Sequence, residues 1–344
     1  MYTKTDVGLV APDSNLQSLL TFSELVHDSK GDALKFGRFG ENAATVSAGV
    51  LMAALKSNDT SDVGAIEGAM AYEECDSDHC ETEDERLQCV IDKAFVNLGA
   101  MMSERVDGKV SVEVDVHAAN NADAIVNKTK KMRDMFDELK VARDKILYKI
   151  PCTWQGVQAV KTLENEEGIA CHVTQVYSVE QAAAAAAANA SLIQVYVARV
   201  KTWYDNHPEE AENNNLVGVS DAGVELVRQT TALISKGGHK AKVIAASIRS
   251  ADEAMALAGC DYILINDRVI DELNRGTPSS AIAANCLEGA SCPDVGDVSE
   301  AAFQAALEGS PAAEELKLGL EGSKAAEDRL KDYLRERVMP GAGQ

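Results

Sequence analysis

The run Lys145-Ile146-Leu147-Tyr148-Lys149-Ile150-Pro151-Cys152-Thr153-Trp154-Gln155-Gly156 reads as a β-strand feeding a loop. Apolar residues alternate around Lys149, and Pro-x-Thr-Trp-x-Gly ends the pattern. A lysine in mid-strand has two readings. In the common case its tip reaches water from an edge or an end of the strand. In the other it points inward, where burial lowers an ammonium pKa and frees the amine to attack a carbonyl. A second short strand, Val110-Ser111-Val112-Glu113-Val114-Asp115-Val116, offers a carboxylate at a possible inward position. Together a strand lysine and a strand carboxylate point to Schiff-base chemistry on a carbonyl substrate such as a ketose.

Working outward, strand-like and helix-like segments alternate over most of the chain. Strands are predicted over Ser23–Asp28, Ala43–Val46, Lys109–Val116, Lys145–Ile150, Ala170–Tyr177, Leu192–Val200, Lys242–Ile248 and Tyr262–Asn266. Helices are predicted over Ala122–Leu139, Val157–Glu166, Glu180–Ala190, Ala222–Ser235 and Ala251–Ala258. This alternation predicts parallel β/α units, and about eight of them close a (β/α)8 barrel. An open doubly wound sheet competes, but the Gly-rich phosphate turn it often carries after its first strand is missing. The alanine run Ala182–Ala188 reads as a helix, with Ser178-Val179-Glu180-Gln181 as a capping box. Ser57–Asp107 should hold two helices around a surface loop. Pro278–Asp297 reads as a loop, and Glu314–Val338 as one or two amphipathic helices on the barrel or over its mouth. The expected fold class is thus α/β, a (β/α)8 TIM barrel with additional C-terminal helices. One domain spans 1–344, with an N-terminal arm over about 1–20 and the C-terminal helices over about 299–340.

The 344 residues carry 33 Lys plus Arg against 55 Asp plus Glu, a net charge of −22. That balance argues against nucleic acid and anionic membranes as partners. A local basic pocket for a small phosphorylated substrate is still compatible with it. Neither a signal peptide nor a membrane-spanning run is visible, so cytoplasm or plastid stroma is the expected compartment. Of the eight cysteines, Cys152, Cys171 and Cys260 read as small buried hydrophobes. Cys75, His79, Cys80 and Cys89 could bind a metal or form a disulfide; they match no standard zinc spacing, so no metal is expected. Free thiols are the default, with Cys75–Cys80 and Cys286–Cys292 as pairs able to respond to redox state.

Several runs resemble one family. Val112-Glu113-Val114-Asp115, Ile146–Gly156 around Lys149, Leu163–Thr174, Ala245-Ala246-Ser247-Ile248-Arg249 and Leu257-Ala258-Gly259-Cys260-Asp261 look like a class I transaldolase. The resemblance runs from about Ser23 to about Val338 and is strongest from Lys109 to Leu273. It implies transfer of a dihydroxyacetone unit from fructose 6-phosphate or sedoheptulose 7-phosphate to an aldose phosphate, in the non-oxidative pentose phosphate pathway. Lys149 takes the Schiff-base position and Glu113 that of the carboxylate activating a water. A glutamate there, where related aldolases have glutamine, leans toward transfer. Asp28 is the candidate base for the C4 hydroxyl, with Asp32 as fallback and a helix-capping role as the plain alternative. Arg199, Arg249 and Ser247 fit the phosphate-holding positions, which suits the planar fork of arginine. Thr174, His172 and Ser111 are further substrate-side candidates, and Trp154 should pack beside the active-site loop. No cofactor is implied, because the lysine is the electron sink. Small phosphorylated sugars are the expected partners, and a homodimer is left open.

The chain also departs from the family pattern. The run Ala44-Thr45-Val46-Ser47 aligns with the family's Thr-Thr-Asn-Pro, so Val46 stands for an asparagine, at a cost of roughly 1–3 kcal/mol for an unpaired substrate hydroxyl. His172 aligns with another asparagine and is expected to add a pH-dependent charge near Lys149. Gln194 aligns with a phosphate-side serine. These departures keep two alternatives open: an aldolase of altered ketose specificity, and a catalytically weak protein with a binding or structural role.

Overall fold

The computed structural model describes residues 13–27, 43–56, 60–76, 78–213, 216, 221–277, 286–287, 289–296 and 298–338. Eight parallel strands form one sheet: β1 Glu24–His27, β2 Ala43–Val46, β3 Lys109–Glu113, β4 Ile146–Pro151, β5 Cys171–Val176, β6 Leu192–Tyr196, β7 Lys242–Ala246 and β8 Tyr262–Ile265. Their spatial order is β1-β8-β7-β6-β5-β4-β3-β2, and among the described residues β1 and β2 meet at a seam without ladder hydrogen bonds. The result is a nearly closed (β/α)8 barrel, as expected.

Fourteen α-helices surround it among the described residues. Those before β4 are α1 Asn15–Leu20, α2 Ala48–Leu55, α3 Thr60–Met70, α4 Glu83–Ser103 and α5 Ala122–Glu138. Then come α6 Trp154–Asn165, α7 Val179–Ala187, α8 Val197–Asn206, α9 Pro208–Asn213 and α10 Ala222–Gly237. The last four are α11 Ala251–Ala256, α12 Asp267–Arg275, α13 Glu300–Leu307 and α14 Pro311–Val338. Strand residues that face outward, such as Val110, Val112, Ile150 and Val173, are fully buried under these helices. A separate apolar cluster of Val26, Leu147, Leu192 and Ile244 sits inside the barrel. No helix among the described residues is long and apolar enough to cross a membrane.

Local chemistry explains most boundaries. Thr153 caps α6 by accepting from Gly156 N at 2.8 Å and itself donates to the Ala119 carbonyl, so the loop after β4 is tied at both ends. Gly156 is required there, because a Cβ would lie 2.1 Å from the Pro151 carbonyl oxygen. Ser178 caps α7 by accepting from Gln181 N, but the return bond differs from a capping box: Gln181 Oε1 takes the Tyr177 N–H, one residue earlier. The expected arm ends in structure, since Ser14 caps α1 and Leu16 and Leu19 are fully buried. The sixth strand stops at Tyr196, four residues short of the expectation, because α10 packs Gly223 against the backbone of Val197. Asp115 ends the third by capping a short turn over Val116–Ala118. One helix, α14, replaces the one or two expected at the C-terminal end. Half of the expected Pro278–Asp297 loop lies outside the described residues, and the described half, 286–287 and 289–296, holds neither helix nor strand.

The cysteine expectation needs correction. Cys75 is joined to Cys89, not to Cys80, and the two sulfurs are buried where α4 packs on the turn Glu73–Cys75. Cys89 lies on the inward face of α4 and its Cα is 5.4 Å from that of Cys75, whereas Cys80 stays half-exposed as a thiol. Cys286 and Cys292 are both free thiols. Cys152, Cys171 and Cys260 are buried, and burial pushes the Cys260 thiol up to about 12. Closing a loop of this size should contribute about 3 kcal/mol. Cys75→Ser is therefore expected to lower the thermal midpoint by several degrees. Wild type heated in excess reductant should match the variant; an unchanged midpoint in both would mean the bond adds nothing.

Between α4 and α14 lies a second buried polar group. Glu327 accepts from Gln88 Nε2 at 3.0 Å and from Val116 N at 3.4 Å, close to Asp92 and Asp115. Lys128 sits 2.6 Å from Asp92 and 3.9 Å from Asp115. Burial first, and then the Asp115 carboxylate, push the Glu327 carboxyl from 4.5 up to about 7. The folded state therefore holds this proton more tightly than the unfolded chain does. Its contribution is fully present below pH 4.5 and is lost as pH rises through about 7, on the order of 3 kcal/mol in all. Glu327→Gln should flatten the fall in thermal midpoint between pH 5 and 8, and a parallel wild-type and variant profile would refute it.

Candidate active site

Barrel strands alternate their side chains, so register decides what meets inside. Glu113 pairs with Lys149, and Lys149 with His172, along three neighbouring strands. All three therefore face the same side. Lys149 is 8% exposed, and its Nζ donates to Glu113 Oε1 at 3.3 Å. The other carboxylate oxygen, Oε2, accepts from the Ala48 backbone N–H at 2.9 Å, at the N-terminus of α2. Glu113 is thus fixed between a helix start and the lysine. The lysine lies in the barrel interior, near the C-terminal end of β4, which is the catalytic end in barrel enzymes.

His172 is buried beside this pair. Its Nδ1 is 2.8 Å from Ser111 Oγ, Gln194 sits by the ring, and no protein group meets Nε2 in hydrogen-bond geometry. Burial, and then the Lys149 charge, hold its pKa well below the ordinary value. The expected pH-dependent charge therefore does not arise near neutral pH: a second cation here would be desolvated and repelled. Thr174 Oγ1 donates to Gln194 Oε1 at 3.2 Å and lies 3.3 Å from the Tyr196 hydroxyl. Tyr196 was not among the expected residues, although the period of two from Leu192 through Gln194 marks it as inward.

Val46 is the clearest correction. It pairs with Val112, whose side chain faces Gly99 of α4, and it is fully buried in the outer core. A one-residue offset changes the face of a strand. Val46 therefore does not line the interior; Thr45 does.

Arg199 stands in the first turn of α8, after β6. It pairs with Glu315 of α14 at 3.3 Å and lies over the Tyr196 ring, 5.6 Å from its centroid. Sequence pattern could not show Glu315, because only the docking of α14 brings it there. Arg249 donates to Thr202 Oγ1 at 2.7 Å, and Ser247, at φ 63°, holds a left-handed conformation costly for a residue with a Cβ. The Ser247 carbonyl accepts from Ala198 N at 3.3 Å, which joins the ends of β6 and β7. Gln175, at φ 61°, marks a bulge in β5 and reaches Ser323 of α14 at 3.4 Å. Trp154 packs on Phe303 of α13, 5.5 Å between ring centroids, beside the β4 loop as expected. Asp28 and Asp32 lie outside the described residues.

A family model for transaldolase/fructose-6-phosphate aldolase matches residues 42–334. The chain belongs to that family. A transaldolase of Cricetulus griseus is 31% identical over 330 residues, covering 95% of each chain. One from Saccharomyces cerevisiae is 31% identical over 265 residues, 77% of this chain and 76% of its own. One from Prochlorococcus marinus is 29% identical over 331 residues, 94% and 96% of the two chains. Membership of the transaldolase family makes the chain a transferase of carbohydrate metabolism.

Proposed function

We propose that this transaldolase-family barrel moves a dihydroxyacetone unit through a Schiff base on Lys149. The observation that carries the reading is a buried lysine amine 3.3 Å from a carboxylate that is itself anchored by Ala48 N–H. The amine adds to the C2 carbonyl of a ketose phosphate, and loss of water gives the imine. Glu113 moves protons for that dehydration through a water. A base takes the C4 hydroxyl proton, the C3–C4 bond breaks, and the electron pair moves into the iminium to leave an enamine on Lys149. The aldose phosphate departs; a second aldose phosphate then takes up the enamine carbon, and water releases the new ketose phosphate.

Asp28 is the proposed base. Arg199, Arg249 and Ser247 are the proposed phosphate holders, with Arg199 exchanging Glu315 for the phosphate. Thr174, Ser111 and His172 line the reacting end, and neutral His172 adds no positive charge beside the amine. The donors proposed are fructose 6-phosphate and sedoheptulose 7-phosphate, in the non-oxidative pentose phosphate pathway, with no cofactor.

Borohydride trapping tests this. The protein is incubated with fructose 6-phosphate, reduced, and its modified peptide located by mass. A three-carbon adduct on Lys149 is expected. An adduct on another lysine, or none on folded protein with several ketose phosphates, would end the proposal.

A further inference from the structure

Barrels of this type are normally filled by layers of bulky side chains. Here a cavity of about 480 Å³ runs inside the barrel from the N-terminal end toward Lys149. It exists because inward positions that could carry bulk hold Ala43 on β2 and Ser111 on β3. Its walls are apolar: Val26, Leu147, Leu192, Ile244 and Leu264. Its inner end is polar, formed by Ser111, Lys149, His172 and Gln194. Among the described residues Thr45 Oγ1, a buried polar atom on its lining, has no hydrogen-bond partner, and His172 Nε2 has only the Gln194 side chain by its ring, outside hydrogen-bond geometry. His172 is 2% exposed, so its ring nitrogen cannot be served from bulk solvent.

The mouth carries Lys109, Lys240 and Lys242 beside Glu24 and Asp107. Lys109 Nζ donates to the Asp144 carbonyl at 2.7 Å. Lys240 pairs with Glu164 at 2.9 Å, and Lys242 with Asp261 at 2.6 Å. Among the described residues, these three lysines already have protein partners. A sugar phosphate, polyhydroxylated and doubly charged, would have to bury its hydroxyls against five aliphatic side chains on the way in from this end, at a desolvation cost.

We infer that this interior cavity is a binding site for a small neutral amphiphile, distinct from a sugar phosphate and reached through the N-terminal end of the barrel. A planar or alicyclic apolar body fills the space between Leu147, Leu192 and Ile244. One hydroxyl or carbonyl group meets His172 Nε2 and Thr45 Oγ1. A mostly apolar pocket of this size with a few convergent polar atoms is how small-molecule sites are built. The inference stands on the cavity alone, whatever reaction Lys149 performs.

The probe is 2-naphthol, whose hydroxyl can donate to or accept from the ring nitrogen in either tautomer. Fluorescence titration and equilibrium dialysis with the full chain should give saturable binding, with Kd near or below about 0.3 mM, equivalent to roughly 5 kcal/mol. Naphthalene, which lacks the hydroxyl, should bind at least several-fold more weakly. Ala43→Leu and Ile244→Phe each fill the cavity from one side and should weaken 2-naphthol binding tenfold or more. Circular dichroism and thermal midpoint report whether each variant folds, and either folded variant suffices. Absence of saturable binding to wild type would overturn the proposal, leaving the cavity to water. Undiminished binding to a folded, filled variant would overturn it too.

Discussion

Lys149→Met is expected to remove turnover, with a loss of at least roughly 10⁴-fold, and to remove borohydride-dependent labelling altogether. The amine is the only part of the proposed pathway that becomes covalent, and no other group at the site replaces it. Methionine keeps the length and the apolar stem of the side chain, so the barrel wall between Leu147 and Pro151 should stay packed. The substitution removes a buried ammonium but also the ion-pair partner of Glu113, so the thermal midpoint is read beside the activity. A variant that keeps its thermal midpoint, binds fructose 6-phosphate and forms no adduct would isolate the chemical role. Retained labelling on another residue would place the nucleophile elsewhere.

Glu113→Gln is the second large effect, a fall of roughly 10²–10³-fold in turnover. The carboxylate has two contacts: Oε1 faces Lys149 and Oε2 accepts from Ala48 N. The amide oxygen of glutamine can keep the Ala48 bond. Its NH₂ then faces the lysine amine as a donor and can neither take up nor deliver a proton. Imine formation and hydrolysis should slow, so single-turnover trapping should show slow build-up of adduct, with sugar binding close to wild type. Glu113→Ala is the less clean variant, since it also leaves Ala48 N–H unpaired, at about 1–3 kcal/mol. A Gln variant with wild-type trapping rates would show that Glu113 only positions the lysine.

All eight strands were legible, because β-branched runs alternate with amphipathic ones and charged or Gly-containing loops separate them. The lysine, its glutamate and the histidine beside them were legible for the same reason: a period of two places them inward once the strands are registered. Ends were less legible. Nothing local tells that Val197 turns into a helix; Gly223 and the Ser247 carbonyl, distant in sequence, impose it. Val46 was misread because the sequence alone does not say which face of β2 it takes; its pairing with Val112 turns it outward. The Cys75–Cys89 bond depends on how α4 is rotated against the preceding turn, which spacing alone does not reveal. Glu315 meets Arg199 only through the path of α14 across the barrel end.

That path has a consequence in time. Helix α14 follows every strand in the chain, yet it supplies Glu315 to Arg199, Ser323 to Gln175 and Glu327 to Gln88. During synthesis the eight strands can pair, and Lys149 can meet Glu113, before any of those contacts exist. A nascent barrel would thus hold its interior lysine in place while Arg199 lacks its carboxylate. The order in which segments leave the ribosome sets the amine first and the arginine's counter-charge last.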